Sequence, residues 1–301
     1  MRLKHLSFIC FFGFGTLWAK PNVLLIMSDD MGYSDLGCFG GEIQTPNLDA
    51  LADAGIRFTN FYSENMCWVS RASMLTGVYH RASFKDGSLH PHCLTLPESL
   101  KAQGYRTGIM GKWHLGGYPD QRGFDYFYGI LGGASSFFAP IGLKRNRTAI
   151  DHEFQDKEDY YFTHAIGKEA ISFLQKSRVD QPFFLYLPFT AAHWPLHAPE
   201  DAIERYQGKF SAGWDELRKK RLQKMKALGV MDQSVKLSPR HPKVPSWKDE
   251  KHKTWQERRM EVYAAQVTIM DRVIGEVIDQ LRKSGQLQNT LTFFTIDNGA
   301  C

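Results

Sequence analysis

The sequence predicts an α/β fold with a mostly parallel central sheet and helices on both of its faces. Short apolar runs of strand length alternate along the chain with longer segments of helical periodicity. These runs are uniformly apolar, which is typical of parallel strands that are covered by helices on both sides. The chain has 301 residues, of which 43% are hydrophobic and 23% charged. This is enough for one large domain or two small ones.

The first 19 residues are predicted to be a signal peptide. Arg2 and Lys4 precede an apolar run from Leu6 to Trp18, and Ala19 offers a small residue for cleavage. The run is too short to span a membrane easily. We therefore expect an exported protein, periplasmic or secreted, with no membrane segment after cleavage. Residues 20–301 are assigned to the folded domain.

Five apolar runs carry the sheet prediction. The predicted strands are residues 22–28, 56–62, 106–110, 182–188 and 290–296. We expect the last strand to lie in the interior of the sheet. The chain stops directly after it, which predicts a truncated domain whose smaller C-terminal subdomain is missing.

Helix boundaries follow from capping patterns between these runs. Thr45 and the proline after it suit the start of a helix that Gly55 ends. Thr95 and Glu98 have capping-box spacing at the start of a helix that reaches residue 103. Further helices are predicted over residues 159–176 and 254–283, with a candidate break near Gly275. Residues 129–138 are predicted to form a covering loop.

Residues 67–77 (CWVSRASMLTG) predict a short helix with Cys67 at its N-terminus. A thiol at this position lies at the positive end of the helix dipole, which favours an anionic or anion-binding site. Arg71, one turn later, is expected to point towards the same end. A buried cysteine at a helix start is the alternative interpretation.

The other predicted strands lead into polar residues that can carry chemistry. These are Asp29 and Asp30, Lys112 and His114, His193, and Asp297 and Asn298. Each alone is compatible with an ordinary solvated loop. In open parallel sheets, however, ligands bind at the carboxyl ends of the strands, so we expect these residues to collect at one edge. The acidic pairs offer only oxygen ligands, which suit calcium before magnesium and disfavour zinc.

Residues 67–77 resemble the signature of the sulfatase family, and the resemblance extends over residues 21–301. Val69 stands where the family usually has proline. The other segments that carry the resemblance are DDMGY (29–33), TPNLDALA (45–52), GKWHLG (111–116), HWP (193–195) and DNGA (297–300). The resemblance implies an alkaline phosphatase-like fold and hydrolysis of sulfate esters. It also implies that a formylglycine-generating or equivalent maturation enzyme oxidises Cys67 to formylglycine, whose hydrate is the nucleophile.

The resemblance also implies roles for individual residues. Arg71 would hold the formylglycine hydrate. Lys112, His114 and His193 would contact the sulfate and its bridging oxygen. One calcium ion would be bound by Asp29, Asp30, oxidised Cys67, Asp297 and Asn298. Valine favours extended backbone as proline does, so we expect Cys67 to be converted despite Val69. The resemblance also implies a further lysine, which would lie beyond residue 301.

The net charge of +5 comes from one segment. Residues 209–259 contain 15 Lys and Arg against 6 Asp and Glu. We predict a basic surface insertion over about residues 200–255, with one helix and a long loop. No nucleic-acid motif accompanies this charge, so nucleic acid is not an expected partner. A solvated face and attraction of an anionic substrate both remain open.

Two other functions remain as alternatives. A phosphatase or phosphonate-type hydrolase shares the implied fold and would need a two-metal site with several histidines. A catalytically weak protein that binds sulfated glycans is the second alternative. The sequence leaves the substrate open between sulfated polysaccharides and small sulfated molecules such as aryl sulfates.

Overall fold

A computed structural model describes residues 20–155, 157 and 159–300 of the chain. The predicted signal peptide lies outside these residues. Nine strands are present in the described part of the chain: β1 (Asn22–Ser28), β2 (Phe84–Lys85), β3 (Ser88–Leu89), β4 (Arg106–Lys112), β5 (Tyr126–Ile130), β6 (Lys144–Arg145), β7 (Thr148–Ala149), β8 (Phe183–Pro188) and β9 (Thr290–Ile296).

Helices connect most of these strands. The α-helices of the described residues are α1 (Pro46–Asp53), α2 (Cys67–Thr76), α3 (His80–Ser83), α4 (Leu96–Ala102), α5 (His152–Gln155), α6 (Phe162–Gln175), α7 (Glu200–Glu204), α8 (Gly213–Ala227) and α9 (Lys253–Lys283). Short 3-10 helices cover Gly37–Phe39, Pro119–Arg122 and Leu287–Asn289. None of the helices described is long and apolar enough to cross a bilayer.

Seven strands form the central sheet in the order β7-β6-β5-β4-β8-β1-β9. The five strands from β5 to β9 in this order are parallel to their neighbours, whereas β6 and β7 form an antiparallel edge. The predicted mostly parallel sheet is therefore confirmed. The parallel arrangement brings the carboxyl ends of β1, β4, β8 and β9 to the same edge.

Helices cover both faces of the sheet because its central strands are apolar on both sides. Leu24 and Ile26 of β1 join the core that contains residues of α6 and α9. Leu25 and Met27, which alternate with them, join the core beneath α2 and α4. Successive side chains of β1 therefore point to opposite faces of the sheet and pack into two separate apolar layers.

Three details of the predicted elements are wrong. Residues 56–62 form no strand and are largely solvent-exposed, with Ile56 at 80% and Tyr62 at 87%. Their aromatic and β-branched side chains favour strands only where a sheet surface is available to pack against, and none is here. β9 pairs with β1 alone among the described strands, so it lies at an edge of the sheet and not in its interior. β5 occupies the start of the segment that was predicted to be a loop.

Helix α9 runs without a break through Gly275. A Cβ atom at this position would lie 2.3 Å from the side-chain oxygen of Asn47. The glycine therefore permits close packing of α1 against α9 and does not interrupt the helix.

The basic segment is anchored at its N-terminal end. Ile203, Tyr206 and Phe210 are buried in the main core. In α8, Arg221 contacts Asp35 and Glu42, each at 2.5 Å, and so ties this helix to the loop after β1. The following loop, residues 231–251, is mostly exposed.

Candidate active site

The predicted site residues meet at the carboxyl edge of the sheet. Asp29 and Asp30 follow β1, and Lys112 is the last residue of β4. The backbone N–H of Asp29 donates to the carbonyl of Ala191 at 2.8 Å, and that of Ala192 donates to the carbonyl of Asp29 at 2.7 Å. These bonds extend the β1–β8 pairing beyond the strands and bring the loop of His193 to the acidic pair.

Three side chains form the centre of the site. One ligand atom each of Asp29, Cys67 and Asp297 lies within 4.8 Å of the other two. The carboxylate of Asp297 accepts from the backbone N–H of Asp30 at 3.1 Å. Asn298 donates its side-chain N–H to Asp30 Oδ1 at 2.5 Å. The two acidic segments, 267 residues apart in the chain, therefore lie together as the sequence predicts.

Two fully buried cations lie against these carboxylates. Lys112 Nζ is 2.5 Å from Asp29 Oδ2. Arg71 Nη2 lies 3.0 Å from Asp297 Oδ2 and 3.5 Å from Asp29 Oδ1. The other terminal nitrogen of Arg71 donates to the carbonyl of Lys112 at 3.0 Å. Arg71 thus bridges the ends of β1, β4 and β9.

The two buried carboxyls differ in acidity. Burial raises the pKa of Asp29 well above its usual range, although Arg71 and Lys112 oppose this. Burial acts in the same direction on Asp297, but Arg71 and hydrogen bonds outweigh it and lower the pKa of Asp297. Because the pKa of Asp29 is raised, a site without a bound cation disfavours the state in which Asp29 and Asp297 are both ionised.

The donor set fits a hard divalent cation. Asp29 Oδ1 and Asn298 Oδ1 are buried and have no hydrogen-bond partner. Ionisation of all three aspartates against Arg71 and Lys112 would give the group one net negative charge. A divalent ion would reverse this to one positive charge, which suits an anionic substrate. The Cys67 thiolate is a soft ligand, whereas an oxygen at the same position would match the other donors.

His114 lies beside Cys67, with Nδ1 3.3 Å from Sγ. Its backbone has a φ of 54°, in the left-handed region. Burial, followed by repulsion from Lys112 and Arg71, lowers the pKa of His114 to about 4. The imidazole is therefore neutral at neutral pH and can donate from one nitrogen and accept at the other.

His193 approaches the site from the loop after β8. Its Nε2 lies 3.4 Å from Asp30 Oδ2, and its Nδ1 lies 2.5 Å from the carbonyl of Trp194. The structure thus places His193 beside Asp30, at the partly exposed rim of the acidic group.

Sequence reasoning missed two residues that support the site. The hydroxyl of Ser70 donates to the backbone carbonyl of Asp297 and so fastens α2 to the end of β9. Gly133 packs against the His114 ring, where a Cβ would be 2.7 Å from two ring atoms. The glycine-rich loop was visible in the sequence, but its contact with His114 depends on the fold.

Comparison with known proteins agrees with this geometry. The sulfatase family model matches residues 21–300. An uncharacterized sulfatase of Schizosaccharomyces pombe is 37% identical over 322 residues, covering 93% of this chain and 58% of that protein. An arylsulfatase of Klebsiella aerogenes is 34% identical, covering 93% of this chain and 66% of its own length.

A solved structure also resembles the fold. The crystal structure of Ps i-CgsB in complex with k-i-k-neocarrahexaose is 28% identical, with a TM-score of 0.70. The match covers 93% of this chain and 59% of that one. The chain therefore spans about 58% to 66% of the length of these proteins.

Fold and site together define an α/β protein of the alkaline phosphatase-like class, with a buried cluster of carboxylates and two cationic side chains at the carboxyl edge of its sheet. Within that class, the sulfatase family model matches nearly the whole chain. The chain belongs to the sulfatase family.

Proposed function

We propose that the protein hydrolyses sulfate esters to an alcohol and sulfate, with residue 67 acting as formylglycine beside a bound calcium ion. The observation that carries this proposal is the convergence of Asp29, Cys67 and Asp297 within 4.8 Å. An oxygen in place of the Cys67 sulfur would give calcium a set of ligands that are all oxygen atoms, and formylglycine provides that oxygen.

Asp29, Asp30, Asp297 and Asn298 would hold the ion together with residue 67. Calcium accepts six to eight oxygen ligands in flexible geometry, which suits two carboxylate pairs better than the strict octahedron of magnesium does. When bound, the ion supplies positive charge that polarises oxygens of the substrate and nucleophile.

The surrounding side chains have distinct proposed roles. Three contacts fix the position of Arg71, which orients the carboxylates of Asp29 and Asp297 beside residue 67. Arg71 also holds the formylglycine hydrate. Lys112 adds a buried positive charge for the sulfuryl oxygens. Neutral His114, 3.3 Å from position 67, can accept a proton from the hydrate. His193 at the rim can donate a proton to the departing alcohol.

The proposed reaction balances in three steps. One hydroxyl oxygen of the formylglycine hydrate bonds to sulfur, the ester S–O bond breaks, and the alcohol leaves with a proton. The second hydroxyl then loses its proton and re-forms the C=O bond, which expels sulfate. Water adds to the aldehyde and restores the hydrate. The second hydroxyl makes this release possible without attack of water on sulfur.

Maturation of Cys67 requires a formylglycine-generating or equivalent enzyme. Val69, Ser70 and Arg71 are 2%, 5% and 0% exposed in the folded chain. An enzyme that reads these side chains must therefore act before the domain folds. This order is compatible with the proposed export to the periplasm or medium, since conversion would accompany synthesis or translocation.

The substrate is proposed to be a sulfated saccharide or a small sulfated molecule. The saccharide option is supported by the oligosaccharide k-i-k-neocarrahexaose in the related Ps i-CgsB structure. The net positive charge that a divalent ion would give the site favours a monoanionic ester over a neutral substrate.

The test is activity combined with mass spectrometry on full-length protein from its native host. We expect an aldehyde in the peptide that contains Cys67, turnover of an aryl sulfate, and loss of turnover in a Cys67→Ala variant. Chelation should abolish activity and calcium should restore it. An aldehyde-free protein that binds sulfated glycans without turnover would support the binding alternative. Faster turnover of a phosphonate or phosphate ester would support the phosphatase alternative.

A further inference from the structure

A cavity of about 360 Å³ adjoins the candidate active site. Asp30 and Ala192 belong to its lining, so it begins where the acidic group ends. Its other walls come from α8, α9 and the loops after β1 and β8. The basic segment of the sequence therefore contributes directly to a space beside the proposed sulfate position.

One wall of this cavity is aromatic and apolar. Trp194, which directly follows His193, is 39% exposed. Phe210, Trp214 and Met260 also line the cavity. The indole N–H of Trp214 is bonded to the carbonyl of Pro245 at 3.1 Å, so this residue contributes an apolar surface. Flat apolar walls of this kind accept the C–H face of a sugar or another ring.

Two guanidinium groups line the same cavity. Arg259 lies over the Trp194 ring at 4.9 Å from its centre and donates to the side-chain oxygen of Gln256 at 3.0 Å. Arg218 donates to the carbonyl of Ser238 at 2.8 Å. The hydrogen-bond partners of both guanidinium groups are neutral, so neither group is engaged in a direct ion pair.

The acidic residues of the lining have other cationic or imidazole partners. Arg221 contacts both Asp35 and Glu42, a group that keeps one net negative charge, and Asp30 lies 3.4 Å from His193. Asp215, on the same helix as Arg218, is bound to Arg240 at 3.0 Å. Among the described residues, no carboxylate lies within 4.0 Å of Arg218 or Arg259.

We propose that this cavity is a substrate subsite for a sulfated sugar that carries a second anionic group. The ring next to the scissile sulfate packs on Trp194, and its own sulfate or carboxylate pairs with Arg259 and Arg218. This inference rests on the proposed function. It commits the substrate to the polyanionic saccharide class and gives the basic segment a role in recognition.

The test compares a disulfated disaccharide with its monosulfated counterpart, using matured full-length enzyme. The disulfated substrate should have the lower KM. Arg259→Gln should raise that KM roughly tenfold, as expected for one lost charge-assisted hydrogen bond, with little change in kcat. The KM for the monosulfated substrate should stay unchanged. Arg218→Gln should act in the same direction, and Arg259→Lys should restore part of the affinity.

A matched control removes a positive charge outside the cavity. Lys251 is exposed and belongs to the same basic segment, so Lys251→Gln should leave both KM values unchanged. Equal KM values for the two substrates, or equal losses on both in Arg259→Gln, would overturn the subsite.

A binding experiment separates this proposal from the catalytic one. In the Cys67→Ala background, calorimetry with the disulfated disaccharide should show an affinity that Arg259→Gln lowers roughly tenfold. Binding with this dependence but no turnover in the parent would refute the proposed activity and leave the subsite intact. Turnover of sulfate esters without the Arg259 dependence would refute the subsite alone.

Discussion

Replacement of Arg71 tests the electrostatic structure of the site most directly. The side chain is fully buried and compensates Asp29 and Asp297 at the same time. Arg71→Met keeps much of the apolar length of the side chain but removes its charge, two hydrogen bonds and the ion-pair contact with Asp29. Lys112 then remains as the buried cation beside two carboxylates.

The expected cost is about 3–5 kcal/mol of unfolding free energy, the range for breaking a buried ion pair at one partner. This is a large share of the roughly 5–15 kcal/mol by which domains are stable. Arg71→Lys should retain part of the stability because the charge remains, although the fork that reaches both carboxylates is lost. Saturating calcium should reduce the cost in Arg71→Met, since a bound cation would compensate the same carboxylates.

The assay is urea unfolding of full-length protein at neutral pH, in chelator and in calcium. A double-mutant cycle with Asp297→Asn supplies the control. If the cost comes from an uncompensated carboxylate, Asp297→Asn should be less harmful in the Arg71→Met background than alone. A loss below about 1 kcal/mol for Arg71→Met, or strict additivity in the cycle, would refute this reasoning.

Three further predictions concern positions outside the ion pairs of Arg71. Gly275→Ala should destabilise the protein in urea unfolding, although alanine gains about 1 kcal/mol in an ordinary helix, because its Cβ would collide with Asn47. A stabilised variant would contradict the packing. Gly133→Ala should displace the His114 ring and cost roughly 100-fold in kcat on an aryl sulfate, while the urea midpoint stays unchanged. Burial opposes ionisation of Glu98, but hydrogen bonds from an arginine and the helix cap lower its pKa. Its contribution is therefore present at neutral pH and lost on acidification, so Glu98→Gln should destabilise at pH 7 and progressively less as the pH falls below the ordinary pKa of glutamate.

The class of fold was predictable because buried parallel strands have a distinctive composition. The runs 22–28 and 290–296 coincide with β1 and β9 to the residue. The capping box at Thr95 and Glu98 is formed with both of its hydrogen bonds. Local signals of this kind depend on neighbouring residues alone, so they survive without knowledge of the fold.

The errors arose where an apolar pattern lacked a partner in space. Residues 56–62 have strand composition, yet no neighbouring strand takes them into the sheet. Gly275 looked like a helix breaker, but its role is set by Asn47, which is 228 positions away in the chain. Pairing and close approach are tertiary properties, and composition carries little information on them.

For the site, the sequence by itself determined which residues follow the strands and therefore which edge of the sheet they share. That much follows from parallel topology, in which all strand ends of one kind face the same way. Only the tertiary structure decided how these residues pair: Arg71 bridges Asp29 and Asp297, and Lys112 turns inwards to Asp29. It also decided that a cavity with aromatic and arginine side chains adjoins them. The physical reason is that ion pairs and cavities depend on distances of a few ångströms between segments hundreds of residues apart, and those distances are fixed only when the core packs.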